Sequence, residues 1–199
     1  MAYSDFNLRT VKTELGVTIV EQNGLFANVD NANISTILAT ALAESVPLAR
    51  AINTEKARSE FIIANVLLEI RRLLKHKISL FSGIEFNVDK SKGLVGYCGF
   101  IISATAEQLL LNNPVITIVE AKNENIISGL GQCIAEMVAA DIFNEREGHK
   151  IQTIYGVVTT GTTWKFLALQ NLTVVIDLDE YSIDSPHKII GILLKILNV

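Results

Sequence analysis

Proline occurs only three times in these 199 residues, tryptophan once, histidine three times and cysteine twice, and each scarcity removes a class of answer. The histidines, His76, His149 and His187, are too scattered to suggest a zinc site or a catalytic triad. Cys98 and Cys133 lack metal-ligand spacing and fall in a predicted strand and a predicted helix, so reduced core thiols are expected rather than a disulfide. Charged residues make up 19% and the net charge is −4, which excludes a globally basic nucleic-acid footprint and leaves any phosphate contact to a local patch. No apolar run approaches the roughly 20 residues that span a bilayer, and no basic-plus-apolar leader opens the sequence, so no membrane and a soluble cytoplasmic protein are expected. A Gly-x-Ser-x-Gly elbow and a Walker loop are both missing.

What is abundant is apolar: 49% of residues, enough for one sizeable core and a single domain over residues 1–199. Periodicity predicts a first helix over Ser4 to Leu15 behind a Ser4 cap, then a strand at Val17 to Val20. A helix from Ser35 to about Ser45 follows, and Pro47 separates it from a longer one over about Thr54 to Lys75. Two β-rich runs, Ser79 to Val88 and Leu94 to Ser103, read as an antiparallel hairpin around Asp89-Lys90-Ser91-Lys92-Gly93. The strand from Pro114, a helix over about Ile126 to Arg146, strands at Thr153 to Val158, Trp164 to Leu169 and Leu172 to Leu178, and a helix over His187 to Leu197 complete the chain. This order predicts an α/β (α+β) fold: a mixed central sheet flanked by helices, with a βαβ unit around the helix at Ile126.

Within that pattern Ile118-Val119-Glu120-Ala121-Lys122-Asn123 stands out, an apolar strand that suddenly presents a carboxylate and an amine two residues apart. Alternation puts Glu120 and Lys122 on one face and Ala121 on the other. Such a pair at the carboxyl end of a buried strand can hold a divalent metal and a water on one phosphate; a strand that merely ends in solvent carries the same residue types. Gln132 forms an i, i+4, i+8 stripe with Ser128 and Glu136, opposite Leu130, Ile134, Met137 and Val138. Glu60 and Glu69, nine positions apart, face opposite sides of their helix, so only one can approach the strand site. Glu60, near the helix start, is the one chosen; the alternative leaves both solvated, with Glu69 paired to Arg72.

A glutamate-bearing helix, a hairpin ending in Gly96-Tyr97-Cys98-Gly99-Phe100, the Glu120-Ala121-Lys122 strand and a Gln132-bearing helix together resemble the restriction-endonuclease-like, or PD-(D/E)XK, superfamily. More narrowly, nearly the whole chain resembles an uncharacterised bacterial family of that superfamily familiar from cyanobacteria, most of all over Thr54 to Phe166. The resemblance implies Mg²⁺- or Mn²⁺-dependent hydrolysis of DNA, with Glu120 and the Ala121 carbonyl as metal ligands and Lys122 orienting the water. It also implies a site-facing glutamate, assigned to Glu60, and places Gln132 near the metal. Glu136 departs from the Tyr some members carry four residues after the Gln. Gly99 stands where the superfamily expects an Asp, one ligand short; Glu85, or Asp89 nearer the turn, is the substitute that the hairpin offers if Glu85 lies across from Cys98 and Gly99.

Two function classes therefore remain: a nuclease-like protein with an incomplete site, and a non-catalytic binding or oligomerising scaffold of the same fold. A mean hydropathy of +0.36 leaves room for a buried homo-oligomer interface. Arg71-Arg72 with Lys75-His76-Lys77, extended by Lys56 and Arg58, is the densest basic cluster, either a phosphate patch or the solvated end of a helix. Trp164 beside Lys165 either stacks on a base or packs over the sheet.

Overall fold

Among the described residues, short β-branched runs punctuated by glycine and asparagine turns supply eight strands, the seven that the sequence pattern predicts and a short one at Tyr181–Ser182, and they join the expected mixed sheet. The computed structural model describes residues 1–197. The strands are β1 (Thr18–Gln22), β2 (Ser79–Glu85), β3 (Tyr97–Ser103), β4 (Val115–Ala121), β5 (Ile154–Thr159), β6 (Thr163–Gln170), β7 (Thr173–Asp177) and β8 (Tyr181–Ser182). They lie in the order β1-β7-β6-β5-β4-β3-β2, with β8 added to β6. Two pairs are parallel, β1 with β7 and β4 with β5, and the others are antiparallel. The parallel β4–β5 pair needs a crossover, and the helix from Ile126 provides it, giving the expected βαβ unit.

Helices cover both faces. Against one face lie α1 (Leu8–Leu15) and α5 (Ile126–Arg146), over a core that includes Ile101, Ile118 and Val158. Against the other lie α2 (Thr36–Ile52), α4 (Ala64–Leu73) and α6 (Pro186–Ile196), over Phe100, Val119 and Phe166. Ahead of α4 come α3 (Glu55–Arg58) and a π-helical turn, Ser59–Ile63, in one continuous helical run.

Several boundaries differ from the sequence expectation; the hairpin strands are Ser79–Glu85 and Tyr97–Ser103 rather than Ser79 to Val88 and Leu94 to Ser103. Pro47 does not separate helices but lies inside α2, where burial of Leu38, Leu42, Val46 and Ala49 outweighs the one backbone bond a proline removes. The break comes instead at Asn53, left-handed at φ 53, and Thr54, whose side chain caps α3 through the Ala57 amide. Ser4 falls in a 3-10 turn, Tyr3–Asp5, and α1 is capped by Asn7, whose carboxamide oxygen accepts from the Arg9 and Thr10 amides at 2.9 and 3.1 Å.

Helix α5 is apolar around most of its circumference, because β4 and β5 pack on one side and the N-terminal segment on the other. By length and composition alone it passes for a membrane span, contrary to the sequence expectation, yet 67% of its most apolar window is buried in the fold. Glycines set its two close approaches. A Cβ at Gly129 would come within 2.8 Å of Val158 Cγ1 and 2.9 Å of Lys122 Cγ, and one at Gly131 within 2.3 Å of the Asn7 Cα. The Gly131 contact is with backbone, which cannot rotate away. Gly131→Ala is therefore expected to destabilise the fold by about 2 kcal/mol despite alanine's better helix propensity, read as a lower urea midpoint with an unchanged slope. At the far end the Asn144 carboxamide bonds both backbone groups of Val115, at 2.8 and 2.7 Å, and pins the start of β4.

Candidate functional site

Strand β4 is buried along its whole length, and Glu120 is its one ionisable residue, only 4% exposed. Such a carboxylate needs a partner, and Lys122, just past the strand end, supplies it: Nζ donates to Glu120 Oε1 at 2.6 Å and to Gln132 Oε1 at 3.1 Å. The Lys122 stem lies over Gly129, so α5 can hold the amine against the strand end. Gln132 Nε2 in turn donates to Glu136 Oε1 at 3.0 Å. The Glu120–Lys122 pair and Gln132, all candidates from the sequence, thus form one connected group.

The group opens into a cleft of about 410 Å³ whose lining includes Glu55, Glu60, Tyr97, Gly99, Glu120 and Gln132. Glu60 stands at this cleft, 57% exposed and 3.6 Å from Lys56 Nζ, in the π-helical turn. Glu69 is neither solvated nor near the cleft. Fully buried, it accepts from the Ser35 amide and hydroxyl at 2.7 and 2.8 Å and pairs with Arg72, so it anchors the start of α2. Glu55, which the sequence reading passed over, lines the same cleft, and its charge acts on both Glu120 and Lys122.

The hairpin provides no substitute carboxylate. Glu85 pairs with Tyr97, one position short of the expected register, and lines a different cleft with Asn87 and Lys90. Asp89 caps the 3-10 turn at Lys90–Lys92 and pairs with Arg146 at 3.5 Å. Around Gly99 the alternation of β3 breaks, for Cys98 packs on the α5 face and Phe100 on the other, and the partner strand carries Gly83 at φ 61. Gly99 is pressed onto β4 there, and a Cβ on it would lie 2.8 Å from the Val119 carbonyl oxygen and 3.5 Å from Glu120 Oε2. The place an Asp side chain would start from is filled by backbone.

Glu136 overturns the expectation of a polar stripe on a half-buried helix. It is fully buried, and its Oε2 has no hydrogen-bond partner. Burial, and next the charge of Glu120, push its pKa well above the usual carboxylate range. Burial also raises Glu120 beyond what Lys122 offsets. Burial pulls the Lys122 ammonium down, but Glu120, Glu55 and Glu136 outweigh it and raise it, so the amine stays charged. The Cys98 thiol is pushed up by burial and by Glu136, which keeps it protonated and unreactive.

A carboxyl whose folded pKa is raised holds a proton that the unfolded chain releases above about pH 4.3. The stability it contributes is therefore complete below that pH and is lost as pH rises toward the folded value. Urea unfolding from pH 4 to 8 is expected to show falling stability, and Glu136→Gln should flatten the slope and raise stability at the alkaline end.

The remaining sequence candidates lie apart. Arg71 to Lys77 is at the opposite end of the α3–α4 run from Glu55 and Glu60, roughly 20 Å away along the axis. Lys56 reaches the cleft, whereas Arg58 is spent on the β5–β6 turn, donating to the Thr160 carbonyl at 3.0 Å. Trp164 and Lys165 are 0% and 4% exposed; the indole donates to the Gly161 carbonyl at 2.9 Å and the amine to the Leu178 carbonyl at 2.9 Å, so neither meets a base.

Among the described residues no group of three or more His, Cys, Asp or Glu side chains is placed to hold a metal. Mg²⁺ does not require such a group, since it keeps several waters and is often held by one or two carboxylates together with substrate phosphate. Compared with protein-family models and with curated proteins, the chain matches none of them.

Proposed function

We propose that this chain is a nuclease-like protein of the restriction-endonuclease-like type, acting on DNA phosphodiesters with Mg²⁺ or Mn²⁺, and that Glu120 and Lys122 carry its chemistry. The observation that supports this most is the contact between them: a buried acid and a charged amine 2.6 Å apart at the carboxyl end of β4, beside an open cleft. Glu120, the Ala121 carbonyl and a phosphate oxygen would hold the ion. Bound there, it would polarise the phosphate and lower the pKa of a water.

The chain's own groups account for the rest. Lys122 holds the attacking water in line and offsets the charge that grows on the phosphate as a P–O bond forms from water and the opposite one breaks. Gln132 keeps that amine from swinging into the cleft. Glu60 and Glu55, at the rim, disfavour a phosphate that arrives without its cation. With one carboxylate rather than two at the strand ends, the metal and the DNA depend on each other for binding.

Cleavage of labelled single- and double-stranded DNA with Mg²⁺ or Mn²⁺ tests the reading. Lys122→Met is expected to cut the rate at least about 100-fold while far-UV circular dichroism stays unchanged. Wild-type protein that cleaves neither substrate with either metal would remove the proposal. The scaffold reading has its own observation, the exposed apolar side chains of Ile37, Leu48 and Ile52 along α2. A stable dimer together with no cleavage would favour it.

A further inference from the structure

We infer that Glu136 is a positioning residue for Lys122, acting through Gln132: its carboxyl oxygen fixes which way the Gln132 carboxamide points, and that carboxamide fixes the amine. This rests on the proposed role of Lys122 for its consequence in catalysis, though not for its geometry. The links are continuous, with Glu136 Oε1 accepting from Gln132 Nε2 at 3.0 Å, Gln132 Oε1 accepting from Lys122 Nζ at 3.1 Å, and Lys122 Nζ donating to Glu120 Oε1 at 2.6 Å.

A carboxamide has a donor end and an acceptor end, and an ammonium can use only the acceptor. The oxygen of Gln132 faces Lys122 because its NH₂ has an acceptor behind it. Without Glu136 the NH₂ would face apolar surroundings, and nothing would hold the oxygen toward the amine. Lys122 itself is a four-carbon chain with large rotamer freedom, which only contacts at its tip can remove.

The cost of the arrangement is visible. Glu136 is completely buried in a largely apolar helix–sheet layer, where its Oε2 makes no well-aligned hydrogen bond and the Cys98 thiol is the polar group that reaches its carboxyl. For packing alone a methionine of similar length would serve better there. A buried acid at the base of a relay that ends on the amine paired with Glu120 is accounted for by what it orients.

Glu136→Met, Glu136→Gln and Gln132→Met separate the roles. Expected for Glu136→Met are a melting temperature equal to or above wild type, loss of side-chain order at the Lys122 ε-methylene by NMR relaxation, and a cleavage rate constant down at least about tenfold with DNA affinity within about twofold. Gln132→Met, at the half-buried middle link, must cause the same loss of order. Glu136→Gln, which keeps an acceptor for Gln132, should recover most of the order and rate that Glu136→Met loses. A side chain serving only the core would move the melting temperature and leave Lys122 order unchanged. Lys122 order and cleavage rate that stay at wild-type levels in both methionine variants would overturn the inference while leaving the nuclease reading intact. Loss of Lys122 order in a chain whose wild type never cleaves DNA would uphold the relay and reject the nuclease.

Discussion

Glu120→Gln is expected to abolish measurable Mn²⁺ binding in the cleft and to lower DNA cleavage on the order of 1,000-fold. The substitution keeps the shape of the side chain and an acceptor for Lys122, so the strand end need not rearrange. What it removes is the one negative charge that the buried strand presents to a cation. About 4 kcal/mol of lost transition-state stabilisation corresponds to that factor, which is reasonable for a hard cation deprived of its principal anionic ligand. The fold should keep its stability, because burial disfavours the Glu120 charge by more than Lys122 offsets it and the neutral isostere escapes that penalty. Calorimetric titration with Mn²⁺, a plasmid-nicking time course and urea unfolding on one preparation check the three expectations. Retained cleavage in Glu120→Gln would detach the chemistry from β4 altogether.

Gly99→Asp, the substitution that fills in the superfamily motif, is expected to harm this chain rather than repair it. A Cβ at Gly99 meets the Val119 carbonyl oxygen at 2.8 Å, closer than side-chain carbons come to backbone, so β3 would have to move away from β4. The new carboxylate would also stand beside Glu120, adding like charge where solvent is scarce. A loss of about 2–4 kcal/mol is expected, with no gain in cleavage. Gly99→Ala isolates the steric part and should account for more than half of the loss. Increased cleavage by Gly99→Asp at undiminished stability would show that β3 yields easily and that a ligand was all the site lacked.

The elements were legible because their periods are clean. Helix α5 runs over Ile126–Arg146 as its period predicts, and two β-rich runs around the Asp89-Lys90-Ser91-Lys92-Gly93 loop mark the β2–β3 hairpin without further context. Strand parity puts Glu120 and Lys122 on one face, whereas the approach of Gln132 to them follows only from the resemblance, since helix spacing gives its stripe and not its neighbours. Other positions depended on packing that spacing does not encode. Pro47 was read by its local rule, and the buried face of α2 overrode it. Glu85 fell one register step from its expected partner, a step that periodicity cannot resolve.

Glu136 was misread for a reason present in the sequence. A helix apolar on nearly all sides is buried on nearly all sides, so a glutamate at its middle belongs to the interior rather than to a polar stripe on a half-buried helix. Gly129 and Gly131 gave the same message. Two glycines in one turn signal close neighbours on both flanks, here Lys122 with Val158 and the Asn7 backbone. Glu55, one helical turn before Glu60, becomes visible only when α3 is seen to start at the cleft.

A site with a single strand carboxylate links metal binding to DNA binding. Mn²⁺ affinity of the cleavage-impaired Lys122→Met protein, measured by calorimetry with and without a short DNA duplex, is predicted to rise at least about tenfold when DNA is present, because the phosphate completes a ligand set that Glu120 only begins. An affinity that DNA leaves unchanged would contradict the account.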